Sequence, residues 1–196
     1  KHLSDNFVYY NPKYIVTSDF YWMHISEEKV FIAAADSTGH GVPGAMVSIV
    51  CSNALDKAVK EFGLTDTGKI LDKTRELVLE TFSKSGEEIK DGMDISFLCI
   101  DKQREKITWS GANNHLCYIR KNANAVADLV EVKGDKQPIG NSDHRKPFTT
   151  HAIDFEKGMI CYLLTDGYAD QFGGAKGKKF KYKQLKEVLL ANCHLD

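Results

Sequence analysis

Strand-like runs at both ends of the chain, two helical segments between them and the absence of any linker predict one domain of α/β or α+β class. In it, helices cover layers of antiparallel sheet. The 196 residues are enough for a single substantial core, and 42% apolar with 27% charged residues is ordinary for a globular protein.

Phe7-Val8-Tyr9-Tyr10 reads as a short first strand, broken by Asn11-Pro12. Phe20 to Ile25 and Lys29 to Ala35 form a strand pair around the tight turn Ser26-Glu27-Glu28. A helix is expected from Pro43, a residue suited to a first turn, to Phe62, with Gly63 as its stop. Met46, Val47, Val50, Ala54, Leu55 and Val59 give it helical period. A second helix starts at an Asp66 or Thr67 N-cap and runs to Ser83, where Ser85-Gly86 ends it; Ile70, Leu71, Thr74, Leu77, Val78 and Phe82 share one face. Strands follow at Ile95–Ile100, Lys106–Trp109, His115–Arg120, Leu129–Lys133, Thr149–Asp154 and Met159–Thr165, then a last helix from Tyr182 to Ala191.

The bulk properties exclude several classes. With 26 basic and 27 acidic residues the net charge is −1, which gives no global pull toward nucleic acid or an anionic membrane. No apolar run reaches a membrane span, and Lys1-His2-Leu3-Ser4-Asp5 lacks the apolar core of a signal peptide. The five scattered cysteines, with no Cys-x-x-Cys pair, read as buried reduced thiols and suggest a cytoplasmic protein. The chain has no initiator Met, so a piece of a longer protein is expected.

Chemistry concentrates at strand ends. The apolar run Val30 to Ala35 leads into Asp36 and a glycine-rich loop; a second apolar run leads into Asp166-Gly167; Asp19 stands at the start of a strand. One aspartate of this kind is commonly a cap or a turn residue. Three of them, each beside small residues and without His/Cys ligand spacing, point to a hard cation, Mg²⁺ or Mn²⁺, and not Zn²⁺. A carboxylate-bridged pair of such ions lowers the pKa of a shared water and clamps a phosphoryl oxygen.

Six ordered blocks carry a family resemblance that spans nearly the whole chain. They are Asn11 to Trp22 (Asn-Pro-Lys-Tyr-Ile-Val-Thr-Ser-Asp-Phe-Tyr-Trp), Asp36 to Ala45 (Asp-Ser-Thr-Gly-His-Gly-Val-Pro-Gly-Ala), Asp91 to Ser96, Trp109 to Asn114, Gly134 to Gly140 and Thr165 to Gly174. They resemble the SpoIIE-type (RsbU-like) serine/threonine phosphatase domains, the bacterial branch of the metal-dependent PPM phosphatases. The resemblance implies an α+β fold, an αββα sandwich of two mainly antiparallel sheets, with two Mn²⁺ or Mg²⁺ ions between them. Carried over by motif, Asp36 bridges both ions, the Ser37 carbonyl and Asp19 bind one, and Asp166 binds the other. The implied activity is metal-dependent phosphoserine/phosphothreonine hydrolysis by metal-activated water in bacterial signalling. The implied substrate is a phosphorylated anti-anti-sigma (STAS-type) protein in a sigma-factor pathway. An upstream sensor or dimerisation domain in the longer protein is also implied, with the helix pair 43–83 acting as its switch; no nucleic acid or membrane partner is. The alternatives are a degenerate phosphoprotein-binding module with little catalysis and a nucleotide or small-phosphoester hydrolase.

Three departures stand out. Ser18 occupies the place usually held by Gly before the first aspartate. The chain stops at Asn192-Cys193-His194-Leu195-Asp196 without the Asp-Asp pair that leads into the family's final strand. One domain over residues 1–196, lacking its C-terminal strand and one carboxylate ligand, is therefore expected. No Arg lies near the first motif, which leaves Lys13 as the nearest cation for a substrate phosphate. His40 is expected to structure its loop by hydrogen-bonding backbone, His115 to be structural, and the Lys176–Lys186 segment to be a solvated flap that could attract an acidic or phosphorylated partner.

Overall fold

The computed structural model describes residues 6–83, 91–121, 126–143, 145–175 and 177–194. Its strands are β1 (Asp19–Ile25), β2 (Lys29–Ser37), β3 (Met93–Asp101), β4 (Lys106–Ala112), β5 (Leu116–Lys121), β6 (Ala127–Val132), β7 (His151–Asp154), β8 (Ile160–Leu163), β9 (Phe172–Gly173) and β10 (Lys178–Lys179). The helices are α1 (Gly41–Asp56), extended by a π-helical turn Lys57–Glu61, α2 (Thr67–Ser83) and α3 (Lys181–Asn192).

Alternation along the strands sorts side chains into two cores. Phe31, Ala33 and Ala35 of β2 and Met93, Ile95, Phe97 and Cys99 of β3 face α1 and α2, where they meet Val47, Cys51, Leu55, Ile70, Leu71 and Val78. The intervening residue Leu98 of β3 faces the other way and joins Ile107, Trp109, Leu116, Tyr118 and Ile153 in a second core. The first sheet has the order β1-β2-β3-β4-β7 and the second β6-β5-β8, every pairing antiparallel. Leu185 of α3 is buried, and Lys186 reaches Glu131 of β6 at 3.0 Å. The layers run helix pair, sheet, sheet, helix: an α+β sandwich of αββα order.

Several elements differ from expectation. Residues 7–10 are not a strand. No sheet edge takes them up, and they are held by aromatic contacts, Tyr9 on Tyr168 at 6.2 Å and Tyr10 on Tyr21 at 5.9 Å. β4 runs on to Ala112, whereas β8 stops at Leu163, so Thr165 lies in the loop beyond it. The long first helix changes to π-helical geometry after Asp56, where the Phe62 N–H donates to the Lys57 carbonyl at 3.0 Å. Beside that change the Trp22 indole N–H donates to Asp56 at 2.8 Å. Ser85-Gly86, the expected stop of the second helix, lies outside the described residues, as do Lys176 and Asp196.

All five cysteines are free, with Cys51, Cys99 and Cys117 buried and Cys161 and Cys193 half-buried. Among the described residues no helix is long and apolar enough to cross a membrane.

Candidate metal and phosphate site

Strand register assembles the site. In β1–β2, Asp19 pairs with Asp36; in β2–β3, Asp36 pairs with Asp94. Directly opposed residues of antiparallel strands share a face, so three aspartates form one rung across three strands. The pleat puts that rung on the side away from α1 and α2, facing the second sheet. The fourth acid, Asp166, comes from the opposite layer, three residues beyond the end of β8. The Thr165 hydroxyl donates to Asp19 at 3.3 Å and ties the two layers together at this point.

The carboxylates crowd one another. Asp36 is pushed up to about 8, first by burial, then by its contact with Asp19 and by the charges of Asp19, Asp166 and Asp94. Asp94 is raised, mainly by burial and further by Asp166, although the Asn113 amide donates to it at 2.8 Å. Asp166 is raised by desolvation and by Asp170 and Asp19, with Lys179 pulling the other way. Tyr182, in the first turn of α3, is pushed up to about 12 by burial and by Asp166, Asp170 and Asp94 among others.

The rung is braced at its ends. Thr38 donates its N–H to the Gly92 carbonyl at 2.9 Å and its hydroxyl to Asp91 at 2.9 Å, while the Gly92 N–H donates to the Thr38 hydroxyl at 3.0 Å. Gly92 cannot be larger: a Cβ there would stand 2.1 Å from the Ile139 carbonyl oxygen. Ser18 donates to Asp36 at 3.5 Å, so the residue in place of the expected glycine contacts the central acid.

The donor set is all oxygen, and four carboxylates meet there with little compensating positive charge. Those properties fit a hard divalent cation. As they stand, no three His, Cys, Asp or Glu side chains among the described residues are gathered closely enough to hold an ion.

Asp19, Asp36, Ser37 and Asp166, the residues singled out from the sequence, fall in this one region. Asp94 was missed as a member of the rung. The signal was available: Asp94 belongs to the even-numbered face of its strand with Leu98, as Asp36 belongs to the even-numbered face of β2. The other candidates lie apart. Lys13 is exposed, with its ammonium 5.1 Å from the centre of the Tyr14 ring. His40 is exposed at the N-cap of α1, makes no side-chain cap, and lies 6.5 Å from Tyr14 between ring centres. The expected backbone bond from His40 is therefore not the arrangement found. His115 does have a structural partner, accepting the Gly134 N–H at 3.2 Å.

The family model for stage II sporulation protein E (SpoIIE) matches residues 26–196. The chain belongs to the SpoIIE family of PP2C-type phosphatase domains. Among solved structures, the SiaA PP2C domain of Pseudomonas aeruginosa is 26% identical with a TM-score of 0.79, covering 92% of this chain and 68% of that one. The RsbU and RsbW domains of Rv1364c from Mycobacterium tuberculosis are 16% identical, with a TM-score of 0.68 over 93% of this chain and 48% of that one. RsbX in complex with magnesium is 16% identical, with a TM-score of 0.58 over 92% of this chain and 81% of that one. No curated protein sequence matches the chain.

Proposed function

We propose that this domain is a metal-dependent phosphoserine/phosphothreonine protein phosphatase of bacterial signalling, acting on a phosphorylated STAS-type protein. The observation that carries the proposal is the aspartate rung Asp19–Asp36–Asp94 facing Asp166 across the sandwich. Asp36, flanked on both sides, would be held in common by two Mn²⁺ or Mg²⁺ ions, with Asp19 and the Ser37 carbonyl serving one and Asp166 the other. Bound there, such ions supply Lewis acidity toward phosphoryl oxygens and an activated water. The chain's own residues do the positioning. Thr38 and Gly92 fix the spacing of β2 and β3 beneath the rung, Asn113 orients Asp94, and Thr165 orients Asp19. RsbX is a magnesium complex, and the Rv1364c chain couples an RsbU domain to an RsbW domain; both agree with a divalent ion and a signalling partner.

The test is hydrolysis of an aryl phosphate and of a phosphoserine STAS protein with Mn²⁺ titrated, on the wild type and on Asp36→Asn. Metal-dependent turnover that disappears in a folded Asp36→Asn chain supports the assignment. Undiminished turnover in that variant removes Asp36 from the site. Phosphoprotein binding with little turnover is the alternative outcome of the same assay. Phosphoprotein binding without hydrolysis at saturating Mn²⁺ would select it.

A further inference from the structure

The segment that follows Asp166 builds a cleft unlike the rest of the surface. The β9–β10 hairpin stands against the start of α3, and the space between them measures about 730 Å³. Tyr168, Phe172 and Phe180 line it with aromatic surface; Phe172 is 75% exposed, and Tyr168 meets Phe180 edge-on at 5.5 Å. Lys178, Lys181 and Lys183 also line it, and among the described residues none of the three has an ion-pair partner. The neighbouring Lys179 is engaged, 2.6 Å from Asp170. Glu187 is the one acid in the lining.

The cleft is fastened to the carboxylate site. The Phe180 N–H donates to the Gln171 carbonyl at 2.8 Å and the Lys181 N–H to the Ala169 carbonyl at 2.6 Å, so the hairpin is anchored three to five residues from Asp166. Lys181 holds a left-handed backbone conformation, φ 72°, that glycine adopts without strain. Tyr182, the next residue, already lies in the field of Asp166 and Asp94. A phosphorylated chain approaching four crowded aspartates is repelled by them. Uncompensated cations beside the entrance counter that repulsion and orient the incoming segment.

We propose that this cleft is the docking surface for an acidic segment flanking the phosphorylated residue, its carboxylates meeting Lys178, Lys181 and Lys183 and an apolar side chain packing on Phe172 and Phe180. The proposal rests on the phosphatase reading for the identity of the phosphorylated partner, and on charge complementarity for the acidic flank.

The experiment is fluorescence anisotropy on the full chain with two labelled phosphoserine peptides of equal length, one with Asp/Glu flanks and one with Ser/Gly flanks. Aryl phosphate hydrolysis with Mn²⁺ is followed in parallel. The wild type is expected to bind the acidic peptide about tenfold more tightly at low salt, as three exposed charge contacts allow. The ratio should fall toward one at about 0.5 M salt, where such contacts are screened. It should also fall toward one in the combined variant Lys178→Gln, Lys181→Gln, Lys183→Gln and, in part, in Lys181→Gly, which suits the backbone at that position. Equal binding of the two peptides by the wild type, or a preference that survives in the folded triple variant, overturns the proposal. Peptide preference without aryl phosphate turnover supports the cleft and counts against the phosphatase reading; turnover without preference does the reverse.

Discussion

Replacing Asp36 by Asn removes the central charge of the rung while nearly preserving its shape. Asp36 has directly opposed carboxylates on both sides, Asp19 and Asp94, and a third in Asp166. Opposed like charges cost roughly 0.2–1 kcal/mol each, so the two directly opposed pairs together cost about 0.4–2 kcal/mol, with the desolvation of Asp36 added. The pKa sets a ceiling. A rise from 3.8 to about 8 corresponds to at most ~6 kcal/mol, which solvent at the mouth of the site reduces to about 1–3 kcal/mol. The sign follows from linkage. Above about pH 4 the unfolded chain releases the Asp36 proton and the folded chain keeps it, so stability falls as pH rises from about 4 to 8 and is level beyond. Asn does not titrate. In chelator, Asp36→Asn should therefore melt at nearly the wild-type temperature at pH 4 and about 3–10 °C higher at pH 8.5. Saturating Mn²⁺ should reverse the order, because ion at a hundred times its Kd adds about 2.7 kcal/mol to the chain that binds it. Thermal denaturation by circular dichroism at the two pH values decides the matter. A gain of equal size at both, or no gain at pH 8.5, would refute the crowding argument.

Other outcomes follow from packing and hydrogen bonding. Gly92→Ala should cost about 2–4 kcal/mol in urea unfolding, because its Cβ would meet the Ile139 carbonyl at 2.1 Å and the Met93–Ile139 backbone bonds would part. Arg75→Ala should cost about 2–3 kcal/mol, since its guanidinium donates to Gln137 at 3.0 Å and to the Lys146 carbonyl at 2.9 Å and lies 4.6 Å from the Phe148 ring centre; Arg75→Lys should recover only part in the same assay. Burial pushes the Cys51 thiol up to about 12 and those of Cys99 and Cys117 to about 11. Timed iodoacetamide labelling of the native chain, read by peptide mass spectrometry, should therefore mark half-buried Cys193 well before these three.

The strands, the helices and an α/β or α+β class could be read from the sequence because apolar alternation and helical period are local signals; the αββα order came only with the family resemblance. The pairing of Asp19 with Asp36 is a matter of register, and register depends on where the Ser26–Lys29 turn closes, which residue type alone does not specify. Asp94 escapes for a different reason: the sequence pattern starts its strand at Ile95, one residue past it, whereas β3 begins at Met93. Phe7 to Tyr10 is the opposite case. A strong strand composition there adds no strand to the free edge of β1; the segment meets that edge through a side chain, the Tyr10 hydroxyl donating to the Asp19 carbonyl at 3.0 Å. The β9–β10 hairpin left no trace because two-residue strands of glycine, phenylalanine and lysine have no alternation to show.

The four acids do not belong to one piece of the fold. Three are carried on a continuous backbone ladder, so their mutual spacing lasts as long as the first sheet does. The fourth hangs from β8, which among the described strands pairs only with β5. The gap between Asp166 and the rung therefore behaves like the opening of a vice with one fixed jaw. Its width depends on how the two sheets sit across the shared core, joined here by the Thr165–Asp19 hydrogen bond. A displacement of the second sheet would therefore change the site while leaving the rung as it is.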